Sequence, residues 1–106
     1  MVKKMAVKGR NPNAKEKRHM DAVSQIGCIV CLNKGFLNHA VEIHHVYGKT
    51  KLDAHMNVLP LCFDHHRGGK DAEPIISRHP WKKRFETAYG TEQELLNQVN
   101  DIVENT

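Results

Sequence analysis

Cys28 and Cys31 are separated by two residues, and about thirty residues later Cys62 and His65 repeat that spacing. Two such corners predict a tetrahedral Cys3His site. Thiolates and a neutral imidazole suit zinc, and four protein ligands leave no open position for water or substrate. The metal expected here is therefore a structural zinc. The competing reading treats Cys28, Cys31 and Cys62 as small buried hydrophobes, as free cysteines often are. A redox role for the C-x-x-C pair would need a βαβ context that the surrounding sequence lacks.

A second group lies between these corners. In Glu42-Ile43-His44-His45-Val46 the two histidines are neighbours on an expected strand, where successive side chains point to opposite faces. One can bind a metal while the other faces a substrate, provided that strand twist and a local bend let both reach the same group. Hydrolysis of a phosphodiester needs that division, with an ion to stabilise charge on phosphorus and a base to activate water. All of the eight histidines except His19 fall between His39 and His79, close to the three cysteines. Such clustering argues for ligands more than the number does. Paired histidines on a strand can also be satisfied core groups, and spacing alone leaves that alternative open.

The elements that must hold these residues can be read from capping and periodicity. A chain of 106 residues fits one domain whose small core would gain from a bound metal. Residues 1–12 carry Gly9, Asn11 and Pro12 with little apolar periodicity and read as a flexible basic arm; residues 13–106 read as a single domain. A helix is expected from Asn13, as N-cap, to about Ile26, with Met20, Val23 and Ile26 on one face and Gly27 as its stop. Cys28 to Lys34 reads as a tight metal knuckle.

Val41 to Tyr47 and Asn57 to Leu61 read as strands of a hairpin that turns over Gly48 to Asp53, and Asp64 opens a short helix ending near Gly68 and Gly69. After a loop bracketed by Pro74 and Pro80, Trp81, Phe85 and Tyr89 recur at helical spacing as far as Gly90. Thr91 and Glu94 then cap a last helix with Leu95, Leu96, Val99, Ile102 and Val103 on one side. The fold class is α+β: a strand, turn, strand, helix core over about residues 41–69, flanked by N-terminal and C-terminal helices.

The formal net charge is +4 and unevenly spread. Lys3, Lys4, Lys8, Arg10, Lys15, Lys17 and Arg18 crowd the start, while Glu92, Glu94, Asp101 and Glu104 make the end acidic. Basic residues attract phosphate, as a nucleic-acid binder requires; a solvated tail is the plainer alternative. No apolar run approaches the ~20 residues needed to span a bilayer, and no apolar stretch follows the first lysines as a signal peptide would require. A soluble chain in a reducing, cytoplasmic setting is expected, with no membrane partner.

Glu42 to His45, Asn57 and His66 together resemble the HNH (ββα-metal) endonuclease family, whose pattern is an acidic-x-His-His strand, a hairpin asparagine and a helical histidine. The step from Asn57 to His66 is similar to that in bacterial toxin nucleases of the family. LPLC-x-x-HH, ending at His66, is similar to the LxxLC-x-x-CH stretch of its zinc-containing members. The resemblance covers about residues 28–67. It implies a metal-dependent endonuclease with His44 and His66 as ligands of a catalytic Mg, Mn or Zn ion and His45 as general base. Asn57 would hold the hairpin that orients His45, and Glu42 would support the ligands from behind.

Two positions depart from the pattern. His65 stands where the zinc box has its last cysteine, so the assignment of His65 to zinc and His66 to the catalytic ion rests on register. Lys70 occupies the place of the family's third catalytic ligand. The third ligand must come from elsewhere or be water; His79 is the first candidate, with Asp71 and His55 as rivals.

Residues 75–90, IISRHPWKKRFETAYG, taken with the hairpin, look further like the phage and prophage Ref family of RecA-dependent HNH nucleases. That likeness extends over nearly the whole chain. It implies DNA as substrate, a RecA filament on single-stranded DNA as partner, and a part in recombination. Arg67, Arg78, Lys82, Lys83 and Arg84 would then bind neighbouring phosphates, carrying little sequence information. Trp81 and Phe85 could stack on bases, but their spacing fits core anchors better. The rival class is a non-catalytic zinc-containing nucleic-acid-binding module whose histidines close a second structural metal. A zinc-stabilised protein-interaction domain is a third class, and its binding would hardly respond to salt.

Overall fold

A computed structural model describes residues 11–106, so the basic arm expected over residues 1–12 falls almost wholly outside the described residues. Helix α1 spans Ala14–Ile26. The Asn13 side chain accepts the Glu16 N–H at 2.8 Å, and the Glu16 carboxylate accepts the Asn13 N–H at 2.9 Å. This reciprocal cap satisfies two donors that a helix start leaves open. Gly27 ends the helix with φ at 86°, and a Cβ there would lie 3.0 Å from the carbonyl oxygen of Asn38. The same carbonyl accepts the Cys28 N–H at 2.8 Å. Glycine thus lets the loop after the first cysteine pair close back over Cys28.

The expected knuckle is a short helix, α2, over Ile29–Asn33, with Cys28 at its N-cap and Cys31 within it. Strand β1 covers Val41–His45 and pairs antiparallel with β2, Val58–Cys62. His44 lies opposite Leu59 and His45 opposite Val58. β1 is shorter than expected because the chain turns at Val46 and Tyr47, and β2 starts one residue later and runs on through Cys62. Every residue of β2 is buried, which is why its sequence lacks the alternation of a half-exposed strand. A 3₁₀ turn, Ala54–Met56, lies within the connection between the strands.

The helix expected after Asp64 is a single π-helical turn, Asp64–Gly68. Helix α3 spans Lys82–Tyr89 and α4 spans Glu92–Glu104. Thr91 and Glu94 form the capping box of α4, each side chain bonding the other's backbone N–H.

Val23 of α1, Ile29 of α2, Leu59 and Leu61 of β2, Phe85 of α3, and Leu96 and Val99 of α4 are fully or almost fully buried together. Each such side chain stabilises the fold by roughly 1.5–3 kcal/mol. Trp81 and Tyr89 pack against this core, in keeping with the anchor role expected for Trp81 and Phe85. Among the described residues no helix is long and apolar enough to cross a membrane.

Candidate metal centres and active site

Cys28 and Cys31 come from the start of α2, Cys62 from the end of β2, and His65 from the π turn. All four are buried, and their ligand atoms lie within 4.8 Å of one another. His65 Nδ1 stands 3.6 Å from the Cys28 sulfur, 3.6 Å from Cys31 and 3.3 Å from Cys62. With Zn–S near 2.3 Å and Zn–N near 2.0–2.1 Å, tetrahedral coordination sets sulfur and nitrogen roughly 3.5 Å apart. The spacing therefore fits a single ion.

Electrostatics points the same way. Burial resists ionisation of the Cys28 thiol, but the hydrogen bond to His65 and the backbone N–H groups of Cys31 and Cys62 outweigh it and pull its pKa down. Burial first, and the charge of Cys28 next, push Cys31 in the opposite direction; Cys62 is raised chiefly by burial. Three sulfurs this close ionise together only around a cation, and thiolate is the form that ligates.

The second cluster takes one imidazole from each of three places. His44 comes from β1, His66 from the π turn, and His79 from the segment before α3. Ring centroids are 5.2 Å apart for His44 and His66, 5.1 Å for His44 and His79, and 5.1 Å for His66 and His79. Their ligand atoms also lie within 4.8 Å of one another.

Backbone bonds explain how residue 79 reaches this point. The chain doubles back after the π turn, with Lys70 N–H donating to Ile75 O at 3.0 Å and Ser77 N–H to Lys70 O at 3.1 Å. Arg78 N–H then donates to His65 O at 2.8 Å and His79 N–H to His66 O at 2.9 Å. Gly69 permits the close approach, since a Cβ there would meet Asp64 O at 2.7 Å and Ile75 O at 2.8 Å.

Two carboxylates stand behind the imidazoles. Glu92, 3% exposed at the start of α4, contacts His44 Nε2 at 2.6 Å. Glu42 contacts His66 Nδ1 at 2.7 Å. Each carboxylate also holds an arginine: Glu92 bonds Arg78 Nε, and Glu42 takes a two-pronged contact from Arg67, at 2.9 Å from Nε and 2.7 Å from Nη2.

A carboxylate on one ring nitrogen fixes the tautomer and leaves the other nitrogen to ligate. Arg67 and then His66 hold the Glu42 carboxyl down to about 2. At Glu92 burial opposes ionisation, yet the bonds from His44 and Arg78 prevail and lower its pKa. Burial is the first cause that lowers His66 and His79, which favours the neutral, ligating imidazole. The donor set thus fits a divalent ion.

An open cavity of about 360 Å³ adjoins this cluster, lined among others by His44, His45, His66, Arg78, His79 and Lys49. His45, the last residue of β1, reaches the same cavity as His44 because the strand ends there and the chain bends. Its Nε2 lies 3.0 Å from His55 Nδ1. Burial chiefly, then the charge of Lys49, lowers the His45 pKa to about 4, so the ring is neutral near pH 7. Asn57 is not on the cavity wall; its Nδ2 donates to Asp53 O at 3.1 Å and its carbonyl accepts the Val46 N–H at 3.0 Å.

Of the expected phosphate-binding residues, Arg67 and Arg78 are engaged by carboxylates, Lys82 Nζ is 3.8 Å from Glu92, and Arg84 Nε donates to Asp71 O at 2.9 Å. Lys82, Lys83 and Arg84 are exposed on α3. Asp71 is exposed and His55 lies beside His45, so neither stands in the three-histidine cluster. Glu92 and Lys49 escaped the sequence reading. A spare acidic residue beside the capping pair Thr91 and Glu94 was the available sign for Glu92.

Fold and site define a small α+β protein with a closed Cys3His cluster and an open three-histidine cluster beside a cavity. Residues 12–104 match the family described as recombination enhancement, RecA-dependent nuclease. The chain belongs to that family, which ties it to nuclease action in recombination.

Proposed function

We propose that the protein is a metal-dependent DNA endonuclease of the HNH type, hydrolysing phosphodiester bonds in DNA that a RecA filament has paired. The observation that carries this reading is the convergence of His44, His66 and His79 on a cavity whose wall also holds His45. Three ligands beside open space leave room for water and phosphate, whereas a closed four-ligand site does not. That difference favours catalysis over a non-catalytic binding module.

A divalent ion (Mg, Mn or Zn) held by the three histidines would supply Lewis acidity to the phosphoryl oxygens and the leaving 3′ oxygen. His45, neutral at working pH, accepts a proton from the water that attacks phosphorus in line. Glu92 and Glu42 keep the His44 and His66 rings turned toward the cluster. Asn57 braces the hairpin that carries His45, by closing its turn rather than by touching the base. Lys49 and Arg78 at the cavity, continued by Lys82, Lys83 and Arg84 on α3, hold neighbouring phosphates without reading sequence. The Cys3His cluster, as a structural zinc, holds the π turn in place.

The test is cleavage of end-labelled single-stranded DNA, free and in a RecA-paired joint, with Mg or Mn and with chelator. Metal-dependent cutting of the paired joint is expected. Salt-sensitive DNA binding with no cutting under any condition would instead establish the binding-module reading.

A further inference from the structure

We infer that His55 is the positioning residue for His45, accepting the hydrogen on His45 Nε2 and so fixing the tautomer whose Nδ1 can take a proton from water. The inference rests on the reading of His45 as general base. His55 sits in the 3₁₀ turn Ala54–Met56, and is only 5% exposed. Its Nδ1 is 3.0 Å from His45 Nε2, with the rings 5.1 Å apart and inclined at 79°.

One hydrogen lies between these two nitrogens, and its owner decides what His45 can do. If His55 donated, neutral His45 would carry its own hydrogen on Nδ1 and have no lone pair left for water. If His45 donates, Nδ1 keeps its lone pair. His45 Nδ1 has no hydrogen-bond partner among the described residues, and the residue lines the cavity. Its other nitrogen is committed to a side chain buried behind it.

The same logic governs serine hydrolases, where a carboxylate holds the base in one tautomer. Here an imidazole nitrogen accepts in place of a carboxylate, which adds no negative charge beside a phosphodiester. The labour is divided within one turn: Asn57 closes it on Asp53 O, and His55 directs the ring of His45.

In the step itself the water O–H bond breaks and its proton forms a bond to His45 Nδ1, while the oxygen bonds to phosphorus and the P–O3′ bond breaks, its electron pair leaving on the 3′ oxygen, which takes a proton from solvent. The resulting imidazolium keeps Nε2–H donated to His55 Nδ1. Its extra proton then passes to solvent, restoring the starting tautomer.

Two measurements on the metal-loaded protein test this. Long-range ¹H–¹⁵N correlation of the histidine rings is expected to show His45 protonated at Nε2 and bare at Nδ1. In single-turnover cleavage, His55→Leu, which fills the space without an acceptor, is expected to lose on the order of 100-fold in rate. DNA affinity and metal content should be unchanged. His55→Asn, whose amide oxygen can accept from Nε2–H, should stay within a few-fold of wild type, with melting temperatures recorded for both variants.

A hydrogen on His45 Nδ1 in the wild type, or equal rates for the Leu and Asn variants, overturns the inference. If His45→Ala abolishes cleavage while both His55 variants cleave normally, the inference alone fails. If cleavage is indifferent to His45→Ala, the base assignment fails with it.

Discussion

His65 and His66 are joined by one peptide bond, yet their imidazoles belong to different clusters. His65 Nδ1 lies 3.3–3.6 Å from three cysteine sulfurs, while the His66 ring stands 5.2 Å from His44 and 5.1 Å from His79. The π turn that carries both is thus a shared wall. The returning chain clamps it, since the carbonyls of His65 and His66 accept the N–H groups of Arg78 and His79.

Coupling between the clusters should therefore run in one direction. Cys62→Ser removes one thiolate of the Cys3His cluster proposed to hold a structural metal, on which a core this small would lean. Cooperative melting should be lost or fall sharply, and metal uptake at the three histidines should be lost with it. His79→Ala, on a side chain exposed at the cavity, should leave one tightly held metal per chain and a melting temperature near that of wild type. Metal analysis together with circular dichroism melting checks both.

Glu92→Gln keeps the volume of a buried side chain but removes the charge that His44 and Arg78 share. Loss of such a supporting carboxylate typically weakens metal binding by about 10–100-fold. That loss is expected at the three-histidine cluster, read by cobalt titration in the visible range, with the Cys3His metal retained.

How much of this could be read beforehand follows from distance along the chain. Cys28 with Cys31, Cys62 with His65, and His44 with His45 are close neighbours, so spacing alone displays most of the candidate ligands and the proposed base. Contacts made by packing leave no such trace: His44 and Glu92 are 48 residues apart and meet only because α4 docks its first turn against β1. Arg78 reads as a phosphate contact from its charge, and nothing in the sequence announces that its Nε also bonds Glu92. His55 was a rival ligand by type; its place in the hairpin connection turns it to His45. His79 was the leading candidate for the third ligand, and the backbone return through Gly69 explains how it arrives.

Gly69→Ala should test that return directly. A methyl group would press on the carbonyl oxygens of Asp64 and Ile75, both of them backbone. A cost of about 1–3 kcal/mol is expected for such overpacking, measured by denaturant unfolding. Metal affinity at the three histidines should fall because residue 79 is displaced.

DNA affinity should decrease steeply with salt. Lys49→Ala at the cavity and Lys83→Ala on α3 should each reduce the slope of log affinity against log salt by about 1 while leaving sequence preference unchanged. Fluorescence anisotropy over a salt series reports both.

The decisive measurement is single-turnover cleavage of a RecA-paired DNA joint in Mg or Mn by wild type and by His45→Ala, each confirmed to be folded and loaded with zinc. The wild type should cut, and the variant should lose at least on the order of 100-fold in rate while binding the DNA equally well. Equal rates from the two proteins would contradict the assignment of His45 and, with it, the mechanism proposed for the three-histidine site.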